Sequence, residues 1–108
     1  MFKTRNIRNK KHLQVVAGKF HCLLWNVAKH ECDGNIQAHH LLKPYEGFRG
    51  VGMKAGDNNA VPLCTFHHQK LHMQVGNEDL FWKSYGLSGD YGREKAKYIW
   101  ENYKKWKK

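Results

Sequence analysis

The sequence predicts an α+β fold: two strands, a long loop and a helix, with two further helices packed behind them. Three observations predict it. Residues 15–25 and 36–42 are apolar stretches of strand length. The period changes at Thr65, beyond which Phe66, His68, Leu71, His72 and Val75 recur three and four apart, the spacing of a helix. Cys and His gather around these same segments, which gives a small core a second means of closure.

The elements follow in order. At 108 residues the chain makes one domain, expected over residues 13–108, preceded by a polar, basic arm over residues 1–12. Val15, Val16, Phe20, Cys22, Leu23, Leu24 and Trp25 give the first strand. Residues 26–35 connect it to the second, with Asp33-Gly34 as a turn signal and Cys32 beside it. Residues 36–42 form that second strand, which carries His39 and His40 near its end and stops at Pro44. Gly47, Gly50, Gly52 and Gly56 make residues 46–59 a loop. A helix over residues 65–75 follows. Asn77 caps a short helix with Glu78 and Asp79 in its first turn, and Gly86 closes it. A last helix runs from residue 90 to 106, with Ala96, Ile99, Trp100, Tyr103 and Trp106 on its apolar face.

The formal charge is +10, from 19 Lys and Arg against nine Asp and Glu. It is unevenly placed. No acidic residue precedes Glu31, whereas Lys3, Arg5, Arg8, Lys10, Lys11, Lys19 and Lys29 all do, and Lys104, Lys105, Lys107 and Lys108 close the chain. That asymmetry points to a polyanionic partner, nucleic acid before a membrane surface, with Lys3 to Lys11 as a candidate phosphate track. No segment approaches the roughly 20 apolar residues of a membrane span, and no signal peptide is expected, so the environment read is cytosolic and reducing.

Three Cys cannot complete a disulfide framework, but with His at short spacing they suit zinc. The first metal set is Cys22, Cys32, Cys64 and His67, four ligands with no open position, as in a structural site. His21 and His30 are reserve ligands beside it, and the plainer reading is three buried free thiols. The second set is His39, His68 and His72. His68 and His72 share one helix face, while His39 and His40 on a strand point to opposite faces. One of the pair can hold an ion while the other accepts a proton near neutral pH. Hydrolysis of a phosphodiester needs that base, a cation, stabilisation of the leaving oxygen and a grip on the phosphate.

These residues resemble the HNH, or ββα-metal (His-Me finger), endonucleases. In that family a His pair ends a strand, an Asn follows a variable loop and a His lies in the helix, as do His39-His40, Asn59 and His68 here. Residues 21–87, about two thirds of the chain, are similar more narrowly to the small phage-encoded Ref-type nucleases, whose founding member cuts DNA in partnership with RecA filaments. Ala38-His39-His40-Leu41-Leu42, Gly50-Val-Gly-Met-Lys-Ala-Gly-Asp57, Val61-Pro-Leu-Cys64 and His67-His68-x3-His72 carry the likeness, with Gly76-Asn-Glu78 and Phe81-Trp82. His67 departs from the second Cys of many members, and imidazole is itself a zinc ligand.

The resemblance implies a zinc-stabilised ββα-metal core with additional C-terminal helices. It also implies a weakly sequence-specific DNA endonuclease, phage- or prophage-encoded, working in the cytoplasm of a bacterial host. His40 would be the general base. His39 and His68 would hold a catalytic divalent ion (Mg2+, Mn2+, Ni2+ or Zn2+), with His72 as third ligand or as a support behind them. Asn59 would orient His40 by hydrogen-bonding the loop that carries it. Cys22, Cys32, Cys64 and His67 would bind structural zinc, and a RecA-type filament would be the partner besides DNA. Arg49 and Lys54, by charge and loop position, would meet the scissile or a neighbouring phosphate. Two other readings account for part of the sequence: a non-catalytic zinc module that binds nucleic acid, and an adaptor that docks on a recombinase filament through its aromatic C-terminal helix.

Overall fold

The computed structural model describes residues 7–45, 55–75 and 77–103. Helix α1 (Lys10–Lys19) opens this part of the chain, capped by Asn9, whose Oδ1 accepts from the His12 amide. A short helix α2 (Trp25–Ala28) runs into a 3-10 turn (Lys29–Glu31). Strand β1 (Ile36–His40) and strand β2 (Ala60–Cys64) follow, the latter entered through a 3-10 turn (Asp57–Asn59). Helix α3 (Thr65–Lys70) leaves β2 directly and widens into a π turn (Leu71–Val75), and α4 (Glu78–Ser84) and α5 (Tyr91–Tyr103) complete the described elements.

The two strands pair antiparallel, Ile36 opposite Cys64 and His40 opposite Ala60. With α3 behind them they form a ββα-metal-type core, to which α4 and α5 are added. Pro62 sits inside β2, where a two-stranded sheet tolerates it because both strands are edges. Its carbonyl accepts from the Leu23 amide, which ties the segment after α1 to the sheet.

The expected first strand is not one. Residues 15–19 belong to α1, and so do Lys10, Lys11 and His12, which the sequence placed in the arm. The β-branched pair Val15-Val16 and the aromatics after it favour a strand locally. Burial of His12 and Val16 one turn apart, with Leu13 between, outweighs that preference. The strand that pairs with β1 comes instead from residues 60–64, so the long loop lies between the strands rather than after both. All five residues of β2 are buried, and its lack of alternation hid it among neighbouring apolar residues. The expected helices at residues 65–75 and after Asn77 are present. Asn77 accepts from the Leu80 amide, and Gly86 ends α4 at φ +78°. The last helix starts at Tyr91, and Trp106 lies outside the described residues.

The buried apolar residues form two clusters. Leu41, Val61, Leu63, Leu71, Phe81 and Trp82 pack with α3 and α4, joined by Ala96 of α5. Val16, Ala60 and Ile99, with Leu13 and Ala38 against them, pack on the side of α1 and α5. Paired residues share a face. His39, opposite Val61, therefore faces α3, and His40, opposite Ala60, faces the other way. Among the described residues no helix is long and apolar enough to cross a membrane.

Gly92 lets α5 approach α4, because a Cβ there would stand 2.7 Å from Cζ2 of the buried Trp82 ring. Gly92→Ala gains helix propensity but overpacks this contact. It is expected to cost about 1–3 kcal/mol and to lower the thermal midpoint by about 5 °C or more, measurable by circular dichroism.

Candidate metal centres

The first centre joins four segments. Cys22 follows α1, Cys32 follows the 3-10 turn, Cys64 ends β2 and His67 lies in the first turn of α3. The sulfurs of Cys64, Cys22 and Cys32 stand 3.1, 3.5 and 3.7 Å from His67 Nδ1. All four donor atoms lie within 4.8 Å of one another. Sulfur and nitrogen ligands on one tetrahedral zinc are separated by about 3.5 Å, so the set has the dimensions of a zinc tetrahedron. The Leu24 and His67 amides each approach a sulfur at 3.5 Å, Cys22 and Cys64 respectively. Burial pushes the Cys22 thiol up, and burial with the neighbouring Cys22 charge pushes Cys32 up to about 12. Three thiolates this close need a cation among them. Four ligands, three of them buried, leave no open position, the form of a structural site.

A carboxylate holds the imidazole of this cysteine–histidine centre. His67 Nε2 lies 2.9 Å from Glu31 Oε1, which also accepts from the Tyr85 hydroxyl at 2.9 Å. Lys70 Nζ donates to Tyr85 Oη at 2.7 Å. The bonds from His67 and then Tyr85 hold the Glu31 carboxyl below its ordinary range. Nδ1 is thereby turned toward the sulfurs.

The second centre joins β1 to the end of α3. The rings of His39, His68 and His72 lie 4.7–5.3 Å apart, and one ring nitrogen from each falls within 4.8 Å of the others. The π turn carries His72 just past the last α-helical turn. His39 is buried and His72 exposed, so the group opens to solvent on one side. Three imidazoles could hold one divalent ion and leave a coordination position on the solvent side. His39 Nε2 lies 2.8 Å from Glu78 Oε2, which leaves Nδ1 as the nitrogen it offers. Glu78 also accepts from the Leu42 and Lys43 amides and so fixes the chain just beyond β1. Burial, then the charges of His39 and His72, lower His68 to about 4, so its lone pair is available at neutral pH.

His40 occupies the opposite face. Its Nε2 lies 2.8 Å from Oδ1 of Asp57, which is 3 % exposed. Asn59 is fully buried. Its Oδ1 accepts from the Tyr45 amide at 2.8 Å and its carbonyl from the Leu41 amide at 3.0 Å, so it clamps the segment that leaves β1 at both ends. Arg8 donates to the Ala55 carbonyl at 2.9 Å, and Lys10 and Lys11 stand at the start of α1, both exposed. Lys3, Arg5, Arg49 and Lys54 lie outside the described residues. The reserve ligands go elsewhere: His21 stacks on Trp25 at 4.4 Å and His30 is exposed beside Glu31.

Sequence reasoning did not assign Glu31, Glu78 or Asp57 to any site. Each is remote in sequence from the histidine it holds, so no local spacing marks it. The available signal was scarcity: carboxylates are few in this basic chain, and three of them adjoin ligand-bearing segments. No protein-family model, curated protein or solved structure matches the chain.

The cysteine–histidine centre is expected to bind one zinc ion per chain and to lose its fold with it. Chelation should abolish the cooperative thermal transition, and cobalt substitution should give the absorption of a tetrahedral thiolate site. Three free thiols would give neither. Glu31→Gln should weaken zinc by about 10–100-fold, read by competition with a chromophoric chelator.

Proposed function

We propose that the chain is a metal-dependent DNA endonuclease of the HNH type, with weak sequence specificity. The observation that carries this reading is the division of labour at the end of β1. His39 turns to one face to join His68 and His72, while His40 turns to the other and is held by a carboxylate. A non-catalytic zinc module has use for the cysteine–histidine centre alone. It leaves the second cluster, with its buried Glu78 support, without a purpose.

In this reading His40 takes a proton from the attacking water. His39, His68 and His72 bind the catalytic divalent ion, and Glu78 keeps His39 turned toward it. That ion would supply positive charge to the phosphate and to the leaving 3′ oxygen. An all-imidazole set suits zinc, nickel or manganese better than magnesium. Asn59 secures the residues after His40, so the base does not drift with the loop. Zinc held by Cys22, Cys32, Cys64 and His67 would tie the start of α3 to the end of β2 and so help to fix His68 and His72. Support for a DNA substrate comes from the charge of +10 and from the basic pair Lys10 and Lys11 at the start of α1. Arg8, Lys3, Arg5, Arg49 and Lys54 belong to the same proposed phosphate-binding set. Dependence on a recombinase filament and a phage setting extend the reading through the resemblance.

Plasmid nicking tests it. Conversion of supercoiled to open-circular DNA should require a divalent ion, and His40→Ala should slow it by about 100- to 10,000-fold while DNA affinity is kept. Affinity for DNA should fall steeply with salt. Equal cutting by His40→Ala would remove the assigned mechanism. Failure to cut with any ion, with or without a recombinase filament, in folded zinc-bound protein would return the chain to the binding-module reading.

A further inference from the structure

We propose that Asp57 is the positioning residue of His40: it holds the ring as the Nε2-protonated tautomer, with Nδ1 as the basic nitrogen, and the backbone of Ile7–Asn9 in turn holds Asp57. The functional part of this statement rests on the nuclease reading. The geometric part stands without it.

Asp57 is unusually well fixed. Its Oδ1 meets His40 Nε2 at 2.8 Å, and its Oδ2 accepts from the Asn9 amide at 2.6 Å. Its own amide donates to the Ile7 carbonyl at 2.7 Å. Arg8 approaches Oδ1 at 3.7 Å and donates to the Ala55 carbonyl, two residues before Asp57. The residue is 3 % exposed. Asn9 is also the N-cap of α1, so the strap is continuous with a helix anchored in the core by Val16. Asp57, from the turn entering β2, therefore meets His40, from the end of β1, at the end of the sheet where the long connection joins the two strands.

An ionised carboxylate can only accept. Facing Nε2, it requires that nitrogen to carry the proton, which leaves the lone pair of the neutral ring on Nδ1. When Nδ1 takes a proton from water, the water becomes the attacking hydroxide and the ring an imidazolium. The Asp57 carboxylate keeps its hydrogen bond to the Nε2 proton and stabilises the new charge. An unheld ring would divide between two tautomers and rotate, and part of the population would present N–H, not a lone pair, to the water.

The experiment is a nitrogen-15 measurement of the His40 ring in zinc-bound protein, at a pH well above the ordinary imidazole range. The signals are assigned by their loss in His40→Gln. The expected result is a single Nε2-protonated tautomer in the native chain and a mixture of tautomers in Asp57→Asn. Alongside, Asp57→Asn should lower kcat for plasmid nicking by about 100-fold, the scale of a base contribution, with KM unchanged. Zinc content and the thermal midpoint are measured on the variant to exclude a folding loss, which would not alter the tautomer of the surviving folded molecules. A native His40 protonated on Nδ1 overturns the proposal, and this reading needs no variant. So does an Asp57→Asn chain that keeps both the tautomer and kcat. If the native chain does not cut at all, the nuclease reading falls, and the ring measurement still decides whether Asp57 sets His40.

Discussion

The register of β1 against β2 is the constraint on which the rest depends. Side chains alternate along a strand, so a slip of one residue would exchange the environments of His39 and His40. His39 would then face α1 and α5, away from His68 and His72, and His40 would lose Asp57. Both ends of the short ladder are secured. At one end Ile36 lies opposite Cys64, a member of the cysteine–histidine clamp, and the Thr65 amide bonds the Asn35 carbonyl at 3.0 Å. At the other, the Asn59 carbonyl bonds the Leu41 amide and Glu78 receives the amides of Leu42 and Lys43. A five-residue, two-stranded sheet has little stability of its own. Its register comes from what grips its ends.

The same physical device appears three times. His39 is held by Glu78, His40 by Asp57 and His67 by Glu31, each at 2.8–2.9 Å. An imidazole has two nitrogens, and a carboxylate on one decides what the other presents. For His67 and His39 the free nitrogen turns to a metal cluster. His40 belongs to neither cluster. The carboxylates differ in their own support, and the differences follow position. Glu31 is half-buried and steadied by Tyr85 and Lys70, whereas Glu78 and Asp57 are buried and held by backbone amides.

The two metal clusters also divide the molecule mechanically. The cysteine–histidine centre gathers the segment after α1, the turn after α2, the end of β2 and the start of α3. With an ion bound, it would add closure to that of the apolar clusters. The all-histidine cluster draws only on β1 and the end of α3 and remains open at His72. One centre joins four segments and the other two, and only the second is open to solvent through an exposed histidine.

Read alone, the sequence specified the donor types, their grouping and the helices that follow residue 64. Cys64 with His67, and His68 with His72, were legible as ligand pairs because spacing on a turn or helix is local information; Cys22, Cys32 and His39 were joined to them by residue type, and the fold brings them together. The caps at Asn77 and Gly86 were legible for the same reason. Three things depended on the folded chain. Residues 10–19 became a helix, because the burial of His12 and Val16 depends on partners such as Ala60 and Ile99 far along the chain. Strand β1 paired with residues 60–64, and a fully buried strand shows no alternation to read. Glu31, Glu78 and Asp57 reached their histidines only through the fold, because a hydrogen bond between residues 17 to 39 positions apart leaves no periodic trace in the sequence.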